Sequence, residues 1–397
     1  MLIEIALAIF LGILFGTITG LIPGIHINLI GGILTSSALG FFGFFLDIPL
    51  VIFISSMAIT HTFVDFIPSV FLGCPDTDTE LSVLPGHQLL KKGQGHQAVE
   101  LASYGSLYAI IFLIIILIPS IYLISKTYHY VEQAIPFVLI TVSFIIIFLE
   151  KKKISAAWVF LLTGFLGYIS LNMIEISQPL LPLLTGLFGS SMLTISIKNK
   201  MEVPEQKISK CKKIPKKNPL IGAIIAAPIC SFLPGIGSGQ AAIVGNTISK
   251  TDTKGFLVLL GATNTLVMGF SFISLYIINK SRTGAAETIN FILSGNLSLN
   301  ILILILTSIT IAGITAFFTT ITISKFFSKR ITKLNYTKLS LITLTILTAI
   351  VLLISDLTGL IIFILATITG IHSISFKVKK ANMMGCLLLP TIIFYLF

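Results

Sequence analysis

Long apolar stretches, separated by short polar links, recur along the whole chain. Apolar runs of about 18 or more residues are typical of helices that cross a bilayer. The pattern therefore predicts an all-α, polytopic integral membrane protein with roughly 10–12 spans, several of them broken or re-entrant. The apolar segments behind this expectation are residues 2–22, 25–46, 50–66, 100–124, 134–150, 154–174, 178–197, 219–248, 256–278, 297–324, 338–354, 357–376 and 381–397.

A proline–glycine pair interrupts the apolar pattern twice, at Pro23-Gly24 and at Pro234-Gly235. Proline removes a backbone donor and clashes with the preceding turn, and glycine leaves helical dihedrals easily. In lipid, the freed backbone groups are tolerated only where they are buried in protein or line a wet cavity. Two such breaks at matching places in two halves of a chain point to the binding site of a transporter.

The segments that follow each break come in the same order in both halves of the chain. A span with polar residues comes first, then a short polar stretch, then four plain spans. We therefore predict an N-terminal membrane repeat, 1–200, a basic cytoplasmic linker, 201–217, and a C-terminal membrane repeat, 218–397.

The links between spans differ in charge, and this predicts the orientation of the chain. Loops rich in lysine are expected in the cytoplasm by the positive-inside rule. Here they include Lys91-Lys92, Lys151–Lys153, the 198–217 loop, Lys325–Lys338 and Lys377–Lys380. Span 100–124 then runs outwards and its counterpart 297–324 runs inwards, so the two repeats are predicted to be inverted. Loop charge leaves open whether each broken segment turns back or crosses.

Composition excludes several classes of protein. Hydrophobic residues make up 55% of the chain and charged residues 10%, whereas soluble domains carry about 25% charge. The net charge of +11 lies in short loops, where it sets topology, so we expect the lipid bilayer and no nucleic acid as partner.

The four cysteines lack CxxC spacing, so neither a disulfide framework nor a metal site is expected. No catalytic constellation or phosphate-binding loop is evident, so no catalytic residue and no cofactor is predicted.

The residues after each break suit an anion. A half-helix that begins inside the membrane presents unpaired N–H groups and a positive dipole end. Glycines allow a ligand to approach the backbone, and Ser, Asn and Gln side chains hydrogen-bond carboxylate or phosphate oxygens. The predicted substrate-binding residues near the breaks are Gly24, His26, Asn28, Gly235, Gly237, Ser238 and Gln240.

Two further residues are predicted to complete the site. Arg282 is one of few arginines among 26 basic residues, and its planar fork suits a carboxylate. The alternative is an arginine in an interfacial or external loop. Thr77 belongs to the polar stretch of the first half and is predicted to contact the substrate.

Acidic residues cluster at the end of the apolar segment 50–66 and in the polar stretch that follows it. Carboxylates inside a membrane usually mark ion or proton paths, so Asp65, Asp76 and Asp78 are candidates for coupling to Na⁺ or H⁺. The alternative is a solvated cytoplasmic loop, because prolines flank part of this stretch. His61 is either a proton relay or a partner of a neighbouring helix, and Asn264 has the same two interpretations.

These motifs together resemble a known family. The residues that carry the resemblance are Gly20-Leu21-Ile22-Pro23-Gly24, Ser69-Val70-Phe71-Leu72-Gly73-Cys74-Pro75-Asp76-Thr77, Leu84-Pro85-Gly86-His87-Gln88-Leu89 and Phe232-Leu233-Pro234-Gly235-Ile236-Gly237. The chain resembles the large membrane subunit of the tripartite tricarboxylate transporters, in an archaeal branch of unassigned substrate. The resemblance implies a multi-pass permease for small organic anions, coupled to cation entry. It also implies a small membrane subunit and an extracytoplasmic solute-binding protein as partners. Asp76 and Asp78 depart from the small uncharged residues typical of the family.

The sequence thus predicts a secondary permease of the cell membrane that carries an organic anion such as a di- or tricarboxylate, and no enzyme. A lipid-linked phosphate carrier or flippase is an alternative, because it also needs half-helices that bind an anion. An intramembrane enzyme that uses His61, Asp65 and His26 is a third interpretation.

Overall fold

The computed structural model describes residues 2–22, 47–73, 79–173, 175–176, 178–199, 203–208, 214–232, 237–331 and 335–396. In this part of the chain every regular element is helical. Eight of its helices are long and apolar enough to cross a membrane, and two shorter apolar helices accompany them. The expectation of an all-α, multi-pass membrane protein is confirmed.

The first half contains eight α-helices and the second half seven, within the described ranges. The first-half helices are α1 (Leu2–Leu21), α2 (Asp47–Val64), α3 (Phe66–Phe71), α4 (Val83–Leu90), α5 (Gly95–Phe148), α6 (Lys153–Asn172), α7 (Leu180–Leu184) and α8 (Ser191–Lys198), with a π-helical segment at Thr185–Ser190. The second-half helices are α9 (Lys217–Phe232), α10 (Ser238–Ser249), α11 (Thr253–Ile278), α12 (Gly284–Ile292), α13 (Leu299–Arg330), α14 (Tyr336–Ser375) and α15 (Gly385–Leu396). Short 3₁₀ turns at Glu80–Ser82 and Lys380–Met384 precede α4 and α15.

Two helices, α5 and α14, are longer than one span. α5 contains two prolines: Pro119 lies within the span Gly95–Lys126, and Pro136 begins a shorter apolar helix, Pro136–Phe148. α14 is broken at Asp356, whose φ of 55° and ψ of −166° are not helical. The predicted spans 338–354 and 357–376 are therefore the two parts of α14. Asp356, which lies between the two predicted spans in the sequence, is the residue at the break.

The segment broken at residues 233–236 turns back on itself. Gly222 of α9 faces Gly245 and Ser249 of α10, and Gly245 in turn faces Ala226, so the two helices are antiparallel. α9 has 16 residues and α10 has 12. At about 1.5 Å per residue, each is shorter than the roughly 30 Å of a bilayer core. The chain therefore enters and leaves this hairpin at the same end. The corresponding first-half segment, 23–46, lies outside the described residues.

α2 and α11 form the centre of the helix bundle. In the most apolar windows of their spans, 89% and 94% of the residues are buried, whereas the value for α1 is 22%. α1 runs parallel to α2, because Gly12, Gly16 and Gly20 face Phe53, Met57 and Val64 in order. Small residues at such spacing let two helix backbones approach closely in a membrane.

α5 and α13 run in opposite directions against each other. The Nδ1 atom of His96 is 3.0 Å from the Oγ atom of Ser324, and the rings of Tyr104 and Phe317 are 5.0 Å apart. The residue numbers therefore rise along one helix as they fall along the other. This is the relative direction that the loop charges predict for 100–124 and 297–324.

Helices of the two halves also pack reciprocally. An added Cβ on Gly167 of α6 would overlap the carbonyl of Cys386 in α15, and one on Gly370 of α14 would overlap the carbonyl of Leu187. Likewise Gly385 faces Phe160, and Gly186 faces Phe363. The third of the four plain spans in each half thus packs on the fourth plain span of the other. The division into two repeats at the 201–217 linker stays a prediction.

The paired glycine contacts make a prediction about stability. Gly167→Ala and Gly370→Ala should each lower the free energy of unfolding by about 1–3 kcal/mol, because a Cβ meets a backbone carbonyl that has little room to move. Thermal unfolding of the detergent-purified protein would measure both changes. Leu161→Ala, on the exposed face of α6, is the control and should cost less, although it removes three carbon atoms whereas Gly→Ala adds one.

Candidate functional site

The N-terminus of α10 follows the second proline–glycine break and carries three of the predicted residues. Gly237 is the N-cap, and its backbone N–H donates to the Oε1 atom of Gln240 at 2.8 Å. The side chains of Ser238 and Gln240 are buried, with exposures of 1% and 0%. Within the described ranges, the Nε2 atom of Gln240 has no hydrogen-bond partner. A buried amide donor without a partner is costly, so this N–H group is available to a ligand.

The second turn of α10 belongs to a buried cluster that both halves share. Ala242 lies in it with Phe66 and Ala102 of the first half and Leu259 and Leu260 of α11. Phe66 directly follows Asp65 in the sequence, and Gln240 is two residues from Ala242, so predicted coupling and substrate residues both adjoin this cluster along the chain.

Asp65 lies at the junction of α2 and α3 and joins them to α11. Its side chain is 3% exposed, and its Oδ2 atom accepts a hydrogen bond of 3.0 Å from the Nδ2 atom of Asn264. Next to it, the Oγ1 atoms of Thr62 and Thr265 are 3.1 Å apart. A carboxyl group at this depth in an apolar bundle is expensive to bury and usually has a function.

His61 makes a different connection. Its Nδ1 atom is 3.1 Å from the Oγ1 atom of Thr19 in α1, whereas the amide partner of Asp65 belongs to α11. The contact of His61 with a neighbouring helix agrees with the simpler of its two interpretations. Thr19, Thr62 and Thr265 were not predicted from the sequence. Each of them is a polar residue within an otherwise apolar helix, and that feature could have identified them in the sequence.

Arg282 lies in the link between α11 and α12, which follows the C-terminal end of α11. One of its Nη atoms donates to the hydroxyl of Tyr128 in α5 at 3.1 Å. Asn264 lies 14 residues, about 20 Å, from the end of α11, but the link that follows folds back, because the hydroxyl of Thr283 is 3.0 Å from that of Ser271. Within the described residues, Arg282 is hydrogen-bonded to Tyr128 and not to Gln240 or Asp65. Its contact with the substrate stays a prediction.

The remaining predicted residues cannot be placed. Gly24, His26, Asn28, Asp76, Thr77, Asp78 and Gly235 lie outside the described residues. Among the residues that are described, no group of three or more His, Cys, Asp or Glu side chains is arranged to hold a metal ion.

The contact between Asp65 and Asn264 can be tested by a double-mutant cycle. Asn264→Leu should lower the free energy of unfolding by about 1–3 kcal/mol, because the buried carboxyl group loses one hydrogen-bond donor. In an Asp65→Leu background the same change should cost less, with a coupling energy of about 0.5–3 kcal/mol. Additive effects in thermal unfolding would show that the two side chains do not interact.

Comparisons with known proteins agree with this architecture. Residues 6–385 match the model of the tripartite tricarboxylate transporter TctA family. Over 409 aligned residues, which cover 98% of both chains, the protein is 34% identical to the uncharacterized protein MJ1079 of Methanocaldococcus jannaschii. No solved structure matches the chain significantly. The chain is therefore a member of the tripartite tricarboxylate transporter TctA family, and so a component of a membrane transporter.

Proposed function

We propose that this protein is a secondary permease of the cell membrane that carries a small organic anion, such as a di- or tricarboxylate, together with Na⁺ or H⁺. The observation that carries the proposal is the buried, unpartnered amide N–H group of Gln240 at the N-terminus of a re-entrant half-helix. The family supports transport in general, and the geometry of α10 supports an anionic cargo.

Binding would use the polarity of the α10 terminus. The side-chain oxygen of Gln240 is held by the backbone N–H of Gly237, so the NH₂ group is turned away from the helix and can donate to a carboxylate. The dipole of α10 adds a favourable field. Ser238 lies in the same turn, and Gly24, His26, Asn28, Thr77 and Gly235 would supply the remaining contacts around the anion. Arg282 would meet the anion on the way to the site or after a rearrangement.

Coupling would use the carboxyl group of Asp65, assisted by Asp76 and Asp78. A cation that binds at Asp65 changes the charge next to Phe66, and Phe66 shares a buried cluster with Ala242 of the hairpin. We expect the charge state of the carboxyl group and the position of the anion-binding helix to be linked through this cluster. A small membrane subunit and an extracytoplasmic binding protein are the proposed partners, in keeping with the tripartite family.

Uptake into proteoliposomes tests the role of Gln240. Gln240→Leu should lower kcat/KM for radiolabelled succinate or citrate by about tenfold or more, because a buried donor to a charged acceptor is worth about 1.5–3 kcal/mol. Thr141→Val, on the exposed face of α5, is the control and should transport normally. Normal uptake by Gln240→Leu, or by the double variant Gly24→Leu plus Gly235→Leu, would contradict the proposal.

The same assay tests Asp65. Asp65→Asn keeps the shape and part of the hydrogen bonding but removes the charge that a cation would neutralise. We expect the variant to lose acceleration by a Na⁺ or pH gradient while exchange of internal for external anion continues. Gradient-driven uptake at the wild-type rate would exclude Asp65 as the coupling group. Transport of polyprenyl phosphate and of no soluble carboxylate would instead indicate a lipid-linked phosphate carrier.

A further inference from the structure

A cavity of about 370 Å³ lies at the end of the bundle that the loop charges assign to the cytoplasm. Its walls come from both halves of the chain. Gln88 and Glu150 belong to the first half, and Asn246, Asp252 and Lys380 belong to the second half. The cavity borders the last turns of α10, whereas the proposed transport site is at the first turn of the same helix.

The two carboxylates that line this cavity already have partners. The Oε1 atom of Glu150 accepts from the backbone N–H of Lys379 at 3.2 Å and lies 3.8 Å from the Nζ atom of the same residue. The Oδ1 atom of Asp252 accepts from the backbone N–H of Gly255 at 2.8 Å and caps α11. Each carboxylate thus already interacts with a group other than Lys380.

Lys380 is the cation without such compensation. It is partly buried, and within the described part of the chain no carboxylate or hydrogen-bond acceptor pairs with its ammonium group. Burial lowers the pKa of Lys380 to about 8, so the charged form still prevails at neutral pH. A partly buried ammonium group without an anion is unfavourable, and a bound anion would stabilise it.

The cavity offers further donors beside Lys380. The Oδ1 atom of Asn246 accepts from the backbone N–H and the hydroxyl of Thr251, at 3.0 Å and 2.7 Å, so its NH₂ group remains to donate. Close by, burial and then the charges of Lys380 and Lys91 lower the pKa of His87 to about 3. The imidazole is therefore neutral at physiological pH. Lys380 and the amide of Asn246 are thus the donors that an anion in this cavity would meet.

We propose that this cavity is a second anion site, which binds a carboxylate or phosphate group between Lys380 and the amide of Asn246 at the cytoplasmic end of the two halves. The ammonium group supplies the charge, and the amide N–H groups supply direction. Both groups belong to the second half, and Gln88 and Glu150 of the first half line the same cavity, so the bound anion would lie where the two halves meet.

Equilibrium dialysis of the full-length protein in detergent tests this site, with radiolabelled inorganic phosphate and radiolabelled citrate as probes. Lys380→Met should weaken the binding of at least one probe by about tenfold or more, because a charge-assisted contact is lost. Lys380→Arg should bind within a few-fold of the wild type. Lys338→Met, an exposed lysine predicted to lie on the same side, should bind normally.

A further variant separates this site from the proposed transport site. Gln240→Leu should leave the Lys380-dependent binding unchanged, even if it abolishes transport. Saturable binding of neither probe, or the same affinity in wild type and Lys380→Met, would overturn the second site. That result would leave the proposal for Gln240 standing.

A displacement experiment in nanodiscs identifies the source of the anion. If phosphatidylglycerol displaces labelled phosphate from the wild type, the cavity binds a lipid headgroup. Displacement by neither phosphatidylglycerol nor phosphatidylcholine would assign it to a free anion. Both outcomes keep the site, because both depend on Lys380.

Discussion

Polar groups inside an apolar helical bundle must find partners within the protein, and this constraint organises the structure. α2 and α11 are the most buried spans, yet they carry most of the polar side chains at the centre of the bundle. The hydrogen bond between Asp65 and Asn264 and the contact between Thr62 and Thr265 pair four of these side chains across the boundary between the two halves. The halves are thus joined by polar contacts in a place where water is scarce.

The same constraint explains why Gln240 is notable. The helices α9 and α10 are each too short to cross the membrane, so the first turn of α10 presents helix-terminal N–H groups inside the protein. Gln240 satisfies one of them with its oxygen and leaves its own nitrogen uncompensated. Ala242, two residues further on, shares a buried cluster with Phe66, which follows Asp65 in the sequence. Binding of an anion and binding of a cation would therefore both act on residues that adjoin this cluster.

Several features could be predicted from the sequence because they depend on local pattern. Apolar runs predicted the spans, and the proline–glycine pair predicted the break before α10. Lysine-rich loops predicted opposite directions for α5 and α13. Partners distant in the chain could not be predicted. The pairing of Asp65 with Asn264 and the position of Arg282 beside Tyr128 depend on how helices 199 and 154 residues apart pack, which no spacing rule encodes. In the sequence, Lys380 is one of several lysines that predict a cytoplasmic loop. The structure distinguishes it, because Glu150 and Asp252 interact with other groups.

The central claim is that an anion binds at the N-terminus of α10. Hydrogen–deuterium exchange with and without saturating citrate or succinate tests it most directly, because a ligand that accepts hydrogen bonds there must slow exchange of the local amides. The account predicts protection of the peptide that contains residues 237–241, with loss of that protection in Gln240→Leu. The account would be contradicted if a transported anion protected other regions and left the exchange of this peptide unchanged.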